Sequence, residues 1–144
     1  MRPVTSYPFP LIAQGVADIV AAGGYGTIGA HGQLQGIDSH FELWQMASAM
    51  TPIQALRTAT LFPAKFIGVD KDVGSIAVGK LGDLVVLNSD PLVNIRNSAD
   101  IKYVMKAGVL YDGNTLDEIW PATKPFGRFF WYTDDTPATH SMKE

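Results

Sequence analysis

Three histidines, His31, His40 and His140, are the residues best suited to acid–base or metal chemistry, and His31 has the most suggestive setting. It follows the glycine-rich stretch Tyr25-Gly26-Thr27-Ile28-Gly29 and opens a polar loop that runs to Asp38. A histidine so placed can coordinate a divalent metal or move a proton, because its unperturbed pKa is about 6.5. The plainer reading is a loop histidine bonded to backbone or touching only substrate. Gln33 and Gln35 in the same loop are candidate contacts for a polar substrate. Asp38 and Glu42 lie close to His31 in sequence and could orient an imidazole. Glu42, however, has a complete structural explanation as a helix-capping acid, and Asp38 one as an anion near a helix N-terminus. His40 reads as a partly exposed first-turn residue, and His140 as part of a loose tail.

The elements that must position these residues are marked at several points. From Leu11 to Ala22 the apolar residues Leu11, Ile12, Val16, Ile19 and Val20 recur at helical spacing, with Gly23-Gly24 as the stop. Tyr25–Gly29 is a short strand candidate whose glycines suggest tight packing or a close ligand. Ser39-His40-Phe41-Glu42 fits a capping box. Thr51-Pro52-Ile53-Gln54 fits a second, with Pro52 where its missing donor costs nothing. That helix is expected to run to about Phe62 and break at Pro63, with a helical turn over Ala64–Ile67 ending at Gly68. Trp44, Phe41 and Met46 read as core.

Beyond Asp70 the period changes. Gly74–Gly79 and Gly82–Leu87 read as short strands, and Asn88-Ser89-Asp90-Pro91 as a turn. Ile101–Lys106 and Val109–Tyr111 read as a hairpin through Ala107-Gly108. Lys80 and Asp83 belong to the turn chemistry of this region. Trp120, Phe126, Phe129, Phe130, Trp131 and Tyr132 then crowd into thirteen residues, a cluster apolar enough to need a partner surface. The first half therefore resembles one turn of an α/β barrel and the second a small β domain. A complete barrel takes about 250 residues, and the chain has 144.

The bulk composition is that of a packed protein, 47% hydrophobic and 17% charged. A net charge of −3 gives no electrostatic reason to expect nucleic acid. The longest apolar stretch, Leu11–Ala22, is too short for a bilayer and is interrupted by Gln14, Gly15 and Asp18, so no membrane partner is expected. The first residues do not lead into a signal-peptide core. With no cysteine, disulfides and thiolate metal sites are excluded, and the compartment is left open.

The order Gly29-Ala30-His31-Gly32-Gln33, Glu42-Leu43-Trp44 and Met50–Thr60 resembles the end of the barrel in the amidohydrolase superfamily. Gly74–Leu87 is similar to the segment with which those enzymes leave the barrel for a β-sandwich, and Val104–Tyr111 to its final hairpin. The nearest resemblance is to imidazolonepropionase-like and Xaa-Pro-dipeptidase-like members, over residues 11–113. It implies the last βα unit of a (β/α)8 barrel of the TIM type, left incomplete, followed by the C-terminal part of a small β-sandwich. The segments divide as 1–68 for the barrel part, 69–113 for the sandwich part and 114–144 for an aromatic-rich extension.

The same resemblance implies one or two divalent metals, zinc foremost, whose bound water attacks an amide or ester carbon. Its ligands would be a His-x-His pair, often a carbamylated lysine, two further histidines and an aspartate after the last strand. No His-x-His pair occurs here, and His31 stands where the family places that aspartate. Two readings follow. One is a portion of a hydrolase acting on a C–N bond of a small molecule or short peptide, inactive alone and completed by an N-terminal barrel portion. The other is a non-catalytic binding or assembly module working as a homo-oligomer, since an open barrel edge leaves strand groups unpaired.

Overall fold

The structure is a computed structural model that describes residues 7–31, 34 and 36–129. Four helices come first: α1 (Phe9–Ala21), α2 (Asp38–Met46), α3 (Pro52–Thr58) and α4 (Leu61–Phe66). The strands β1 (Leu84–Leu87), β2 (Ile101–Lys106), β3 (Val109–Asp112) and β4 (Glu118–Trp120) follow, with a 3-10 turn, Ile95–Ala99, between β1 and β2. The strands form one antiparallel sheet in the order β1-β2-β3-β4.

α1 ends as expected. Gly23 at φ 88° lets the Gly24 N–H reach the Ile19 carbonyl and its own N–H reach Val20, which satisfies two of the carbonyls a helix end would otherwise orphan. The cap predicted at Thr51 is also present: its hydroxyl oxygen accepts from the Gln54 N–H, and the Gln54 side chain accepts from the Thr51 N–H at 3.0 Å. This helix is shorter than expected. It stops at Thr58, and Pro63 breaks nothing because it falls in the first turn of a new helix, α4, where no intrahelical donor is required. Gly68 ends α4 at φ 78°.

The capping box predicted at Ser39–Glu42 does not form. α2 begins at Asp38 with Ile37 as its cap, already in helical conformation (φ −87°, ψ −25°), and no side chain caps it. Ser39 is thus inside the first turn, and Glu42 falls two residues beyond the position from which a side chain reaches back to the cap.

Two predicted strands are not strands. Tyr25–Gly29 is extended, but no described segment pairs with it, and a strand is defined by its ladder partner. It is held by a single backbone bond, Ile28 N–H to the Thr58 carbonyl at 3.1 Å. Its expected tight packing is real: a Cβ on Gly26 would come within 2.3 Å of Val16 on α1. Gly74–Gly79 is likewise unpaired among the described residues, with Ile76 88% exposed. Lys80 instead closes this loop, its ammonium donating to the carbonyls of Asp70 and Val73 and to the Ser75 hydroxyl.

The predicted hairpin is present, Tyr103 to Lys106 pairing with Asp112 to Val109. Its two-residue turn, Ala107 at φ 50° and Gly108 at φ 84°, has the left-handed geometry that suits the twist of the flanking strands. Gly113 is required by space, because a Cβ there would lie 2.8 Å from the Ile101 carbonyl oxygen. β4 was not foreseen. It pairs Leu110 with Trp120 and Tyr111 with Glu118, so the first of the clustered aromatics belongs to the sheet. Phe130, Trp131, Tyr132 and His140 lie outside the described residues.

The core centres on α2. Leu43 and Met46 pack on the fully buried Ala55 of α3, with Val16, Ile28, Trp44 and Ile95 against them. Met46 is buried and Trp44 half-buried as read from the sequence, but Phe41 is exposed and not core.

Two outcomes follow. Thr51→Ala removes the capping hydroxyl and should lower unfolding stability by about 1 kcal/mol in denaturant titrations. The second concerns acid. Backbone N–H of Ala107 and then Lys106 hold Asp83 below its ordinary 3.8. Ser89 and Asn88 do the same for Asp100, and the Thr115 and Asn114 amides for Asp112. A carboxylate lowered on folding stabilises fully above its unfolded value and loses this as pH falls through the folded one. The sheet should therefore loosen below about pH 4, and Asp112→Asn should flatten that acid limb in circular-dichroism melts.

Candidate functional site

The segment 24–31 leaves α1, passes between α1 and α3, and delivers His31 to the surface. Thr58 fixes its middle: the residue is fully buried, its hydroxyl donates to the Ala55 carbonyl at 2.6 Å, and its own carbonyl takes the Ile28 N–H. Glu42 fixes its end. From α2 its Oε2 accepts the Gly29 N–H at 2.7 Å, across thirteen residues of chain. The acid read as a cap is instead the anchor of the segment that carries His31.

His31 is exposed and makes no hydrogen bond among the described residues. Gln33 and Gln35 lie outside the described residues. The far end of the loop is closed by Asp38, whose Oδ2 accepts the Leu34 N–H at 2.9 Å and whose N–H returns a bond to the Leu34 carbonyl. Gly36 at φ 88° allows the chain to turn there. His31 therefore sits between two carboxylate-to-amide ties without touching either carboxylate.

Against the outer face of α2 lies an open cleft of about 630 Å³. Tyr7 just before α1, Phe9 in its first turn, Phe41 and Trp44 from α2, and Arg96 from the 3-10 turn line it, with Asp38 and Glu42 at the side of the loop. Phe41 and Trp44 meet edge to face at 5.3 Å, and the Arg96 guanidinium lies 4.7 Å over the Trp44 ring. An apolar cavity of this volume with a few polar groups is of the size that takes small ligands. Below it, Ser98 accepts the Trp44 indole N–H at 3.0 Å and lies 3.1 Å from His40 Nδ1. Burial holds His40 below its usual pKa. Sequence reasoning missed Arg96 and Ser98, because neither stands in a motif and both meet α2 only through the fold.

A divalent ion finds no ready set of donors among the described residues. Among the described residues no three His, Asp or Glu side chains converge. Glu42 and Asp38 each spend an oxygen on a backbone amide, and His40 faces Ser98 rather than another donor. These residues do not make a metal site by themselves.

Four helices thus precede an antiparallel meander, with the His31 loop at the helical end. The model of the amidohydrolase family matches residues 18–111, and the chain belongs to that family. Solved structures agree. A Xaa-Pro dipeptidase with methionine in its active site is 32% identical, with a TM-score of 0.53 over 56% of this chain and 20% of its own. Molinate hydrolase is 36% identical, with a TM-score of 0.52 over 63% of this chain and 20% of its own. A protein from Bifidobacterium longum assigned as a prolidase is 32% identical, with a TM-score of 0.57 over 82% of this chain and 28% of its own. The chain thus spans from a fifth to a little over a quarter of the length of these relatives. No curated protein matches it. The resemblance to the Xaa-Pro-dipeptidase side of the superfamily holds.

The Glu42 tie is open to test. Glu42→Ala should quicken hydrogen exchange at the Gly29 amide by roughly tenfold, since a charged acceptor is lost. Glu42→Gln, which keeps an acceptor oxygen, should fall between the two.

Proposed function

We propose that this chain is the C-terminal portion of a metal-dependent amidohydrolase that cleaves a C–N bond in a small molecule or short peptide. The observation that carries the reading is the family match across residues 18–111, joined to the short share of each relative that the chain covers. The family generally uses divalent metals, which activate water for attack on a carbonyl carbon. Zinc is the ion of this reading, held chiefly by residues supplied from an N-terminal barrel portion.

This chain's own part is the loop that ends the barrel and the domain that returns from it, a small β-sandwich once a second layer covers β1–β4. His31, presented by the Glu42 tie, stands at the reacting centre as proton carrier or as a single metal ligand. Gln33 and Gln35 contact the substrate. Exposed apolar side chains support a missing partner surface: Leu11 on α1 is 78% exposed and Val93 84%. Large exposed apolar area marks an interface. Either the N-terminal portion or a second copy of the chain covers it.

The test uses the full chain, alone and co-expressed with the N-terminal barrel of a prolidase relative. Alone it should bind no stoichiometric zinc by elemental analysis and leave Xaa-Pro dipeptides and N-acyl amino acids intact, with a light-scattering mass above the 15.6 kDa of one chain. Together with the barrel it should restore hydrolysis, and His31→Ala should lower kcat by about 100-fold or more. A soluble complex that stays inert toward every C–N substrate would favour the assembly module instead.

A further inference from the structure

Ser98 is a buried hydroxyl with two ring nitrogens on it, and their chemistry dictates where its one hydrogen goes. The Trp44 indole N–H can only donate, so at 3.0 Å it occupies an oxygen lone pair. The hydroxyl hydrogen then needs an acceptor, and His40 Nδ1 at 3.1 Å is the one available among the described residues. If Nδ1 carried a proton as well, Ser98 would receive two donors and its own hydrogen would be buried without a partner, which is unfavourable. The geometry is satisfied only by a neutral His40 with its proton on Nε2.

This triplet joins distant parts of the chain. His40 and Trp44 lie on α2, while Ser98 lies 58 and 54 residues away in the turn that leads into β2. His40 is two residues from Glu42, which holds Gly29. We propose that His40, Trp44 and Ser98 form a proton-sensitive clasp between α2 and the 3-10 turn, closed when His40 is neutral and loosened when it is protonated, so that the anchorage of the His31 loop follows pH. The clasp does not rest on the hydrolase reading.

The surroundings favour the neutral form. Burial is what lowers His40, and a histidine lowered on folding stabilises fully above its unfolded value and loses this as pH falls through the folded one. The charged group beside it on the 3-10 turn is Arg96, already over the Trp44 ring, which a second cation on the same edge would oppose. On its own helix Asp38 and Glu42 are engaged with backbone amides. On the elements packed against α2 and next to the turn, Asp18 of α1 takes Gln14, Arg57 of α3 is exposed, and Asp100 after the turn is held by Ser89 and Asn88.

The experiment is a titration of the full ¹⁵N-labelled chain, read by long-range ¹H–¹⁵N correlation. At pH 7.5 His40 should show the Nε2–H tautomer, with a midpoint below 6.5. The Trp44 indole N–H and the Gly29 amide should shift with that same midpoint. In His40→Phe, which keeps a ring but cannot titrate, both shifts at that midpoint should vanish, which separates them from His31. In Ser98→Ala the Trp44 signal should no longer follow His40. An Nδ1–H tautomer at pH 7.5, a midpoint at or above 6.5, or a Gly29 response that survives His40→Phe would each overturn the clasp.

Discussion

Everything in the helical half hangs on the inner face of α2. Leu43 and Met46 are buried against Ala55 of α3, which is itself fully buried. With that contact made, the rest of α2 is positioned without further choice. Glu42 is turned toward Gly29, Trp44 and His40 toward the 3-10 turn, and Phe41 toward the open cleft. One helix of nine residues thus places the loop, the cleft and the join to the sheet.

What could be read in advance was what depends on near neighbours in sequence. The Thr51 cap needs only Gln54, three residues on, and the β2–β3 hairpin needs only Ala107-Gly108. Gly23 and Gly68 stop their helices for the same local reason. The misses are nonlocal. Glu42 carries both a capping signature and a carboxylate long enough to reach Gly29, and only the actual start of α2 decides between them. Tyr25–Gly29 and Gly74–Gly79 have strand composition, but composition cannot supply a neighbouring strand. β4 escaped notice because three residues give no period to detect.

The candidate site divides along the same line. His31 is singled out by the glycines and the change of polarity that precede it, which is a local signal. Its anchor was found but given the wrong task. Ser98 was not found at all, since a serine between Asn97 and Ala99 looks like any turn residue until Trp44 and His40 arrive from another element. Membership in the amidohydrolase family came from ordered segments spread over the chain, a signal that survives even where individual strands do not form.

The hairpin at Ala107-Gly108 has a kinetic consequence. Its contacts span a few residues, so closing it costs little chain entropy and takes microseconds. The bonds from Ser98 to α2 close loops of more than fifty residues and must wait. The hairpin therefore closes well before the turn at Ser98 is joined to α2.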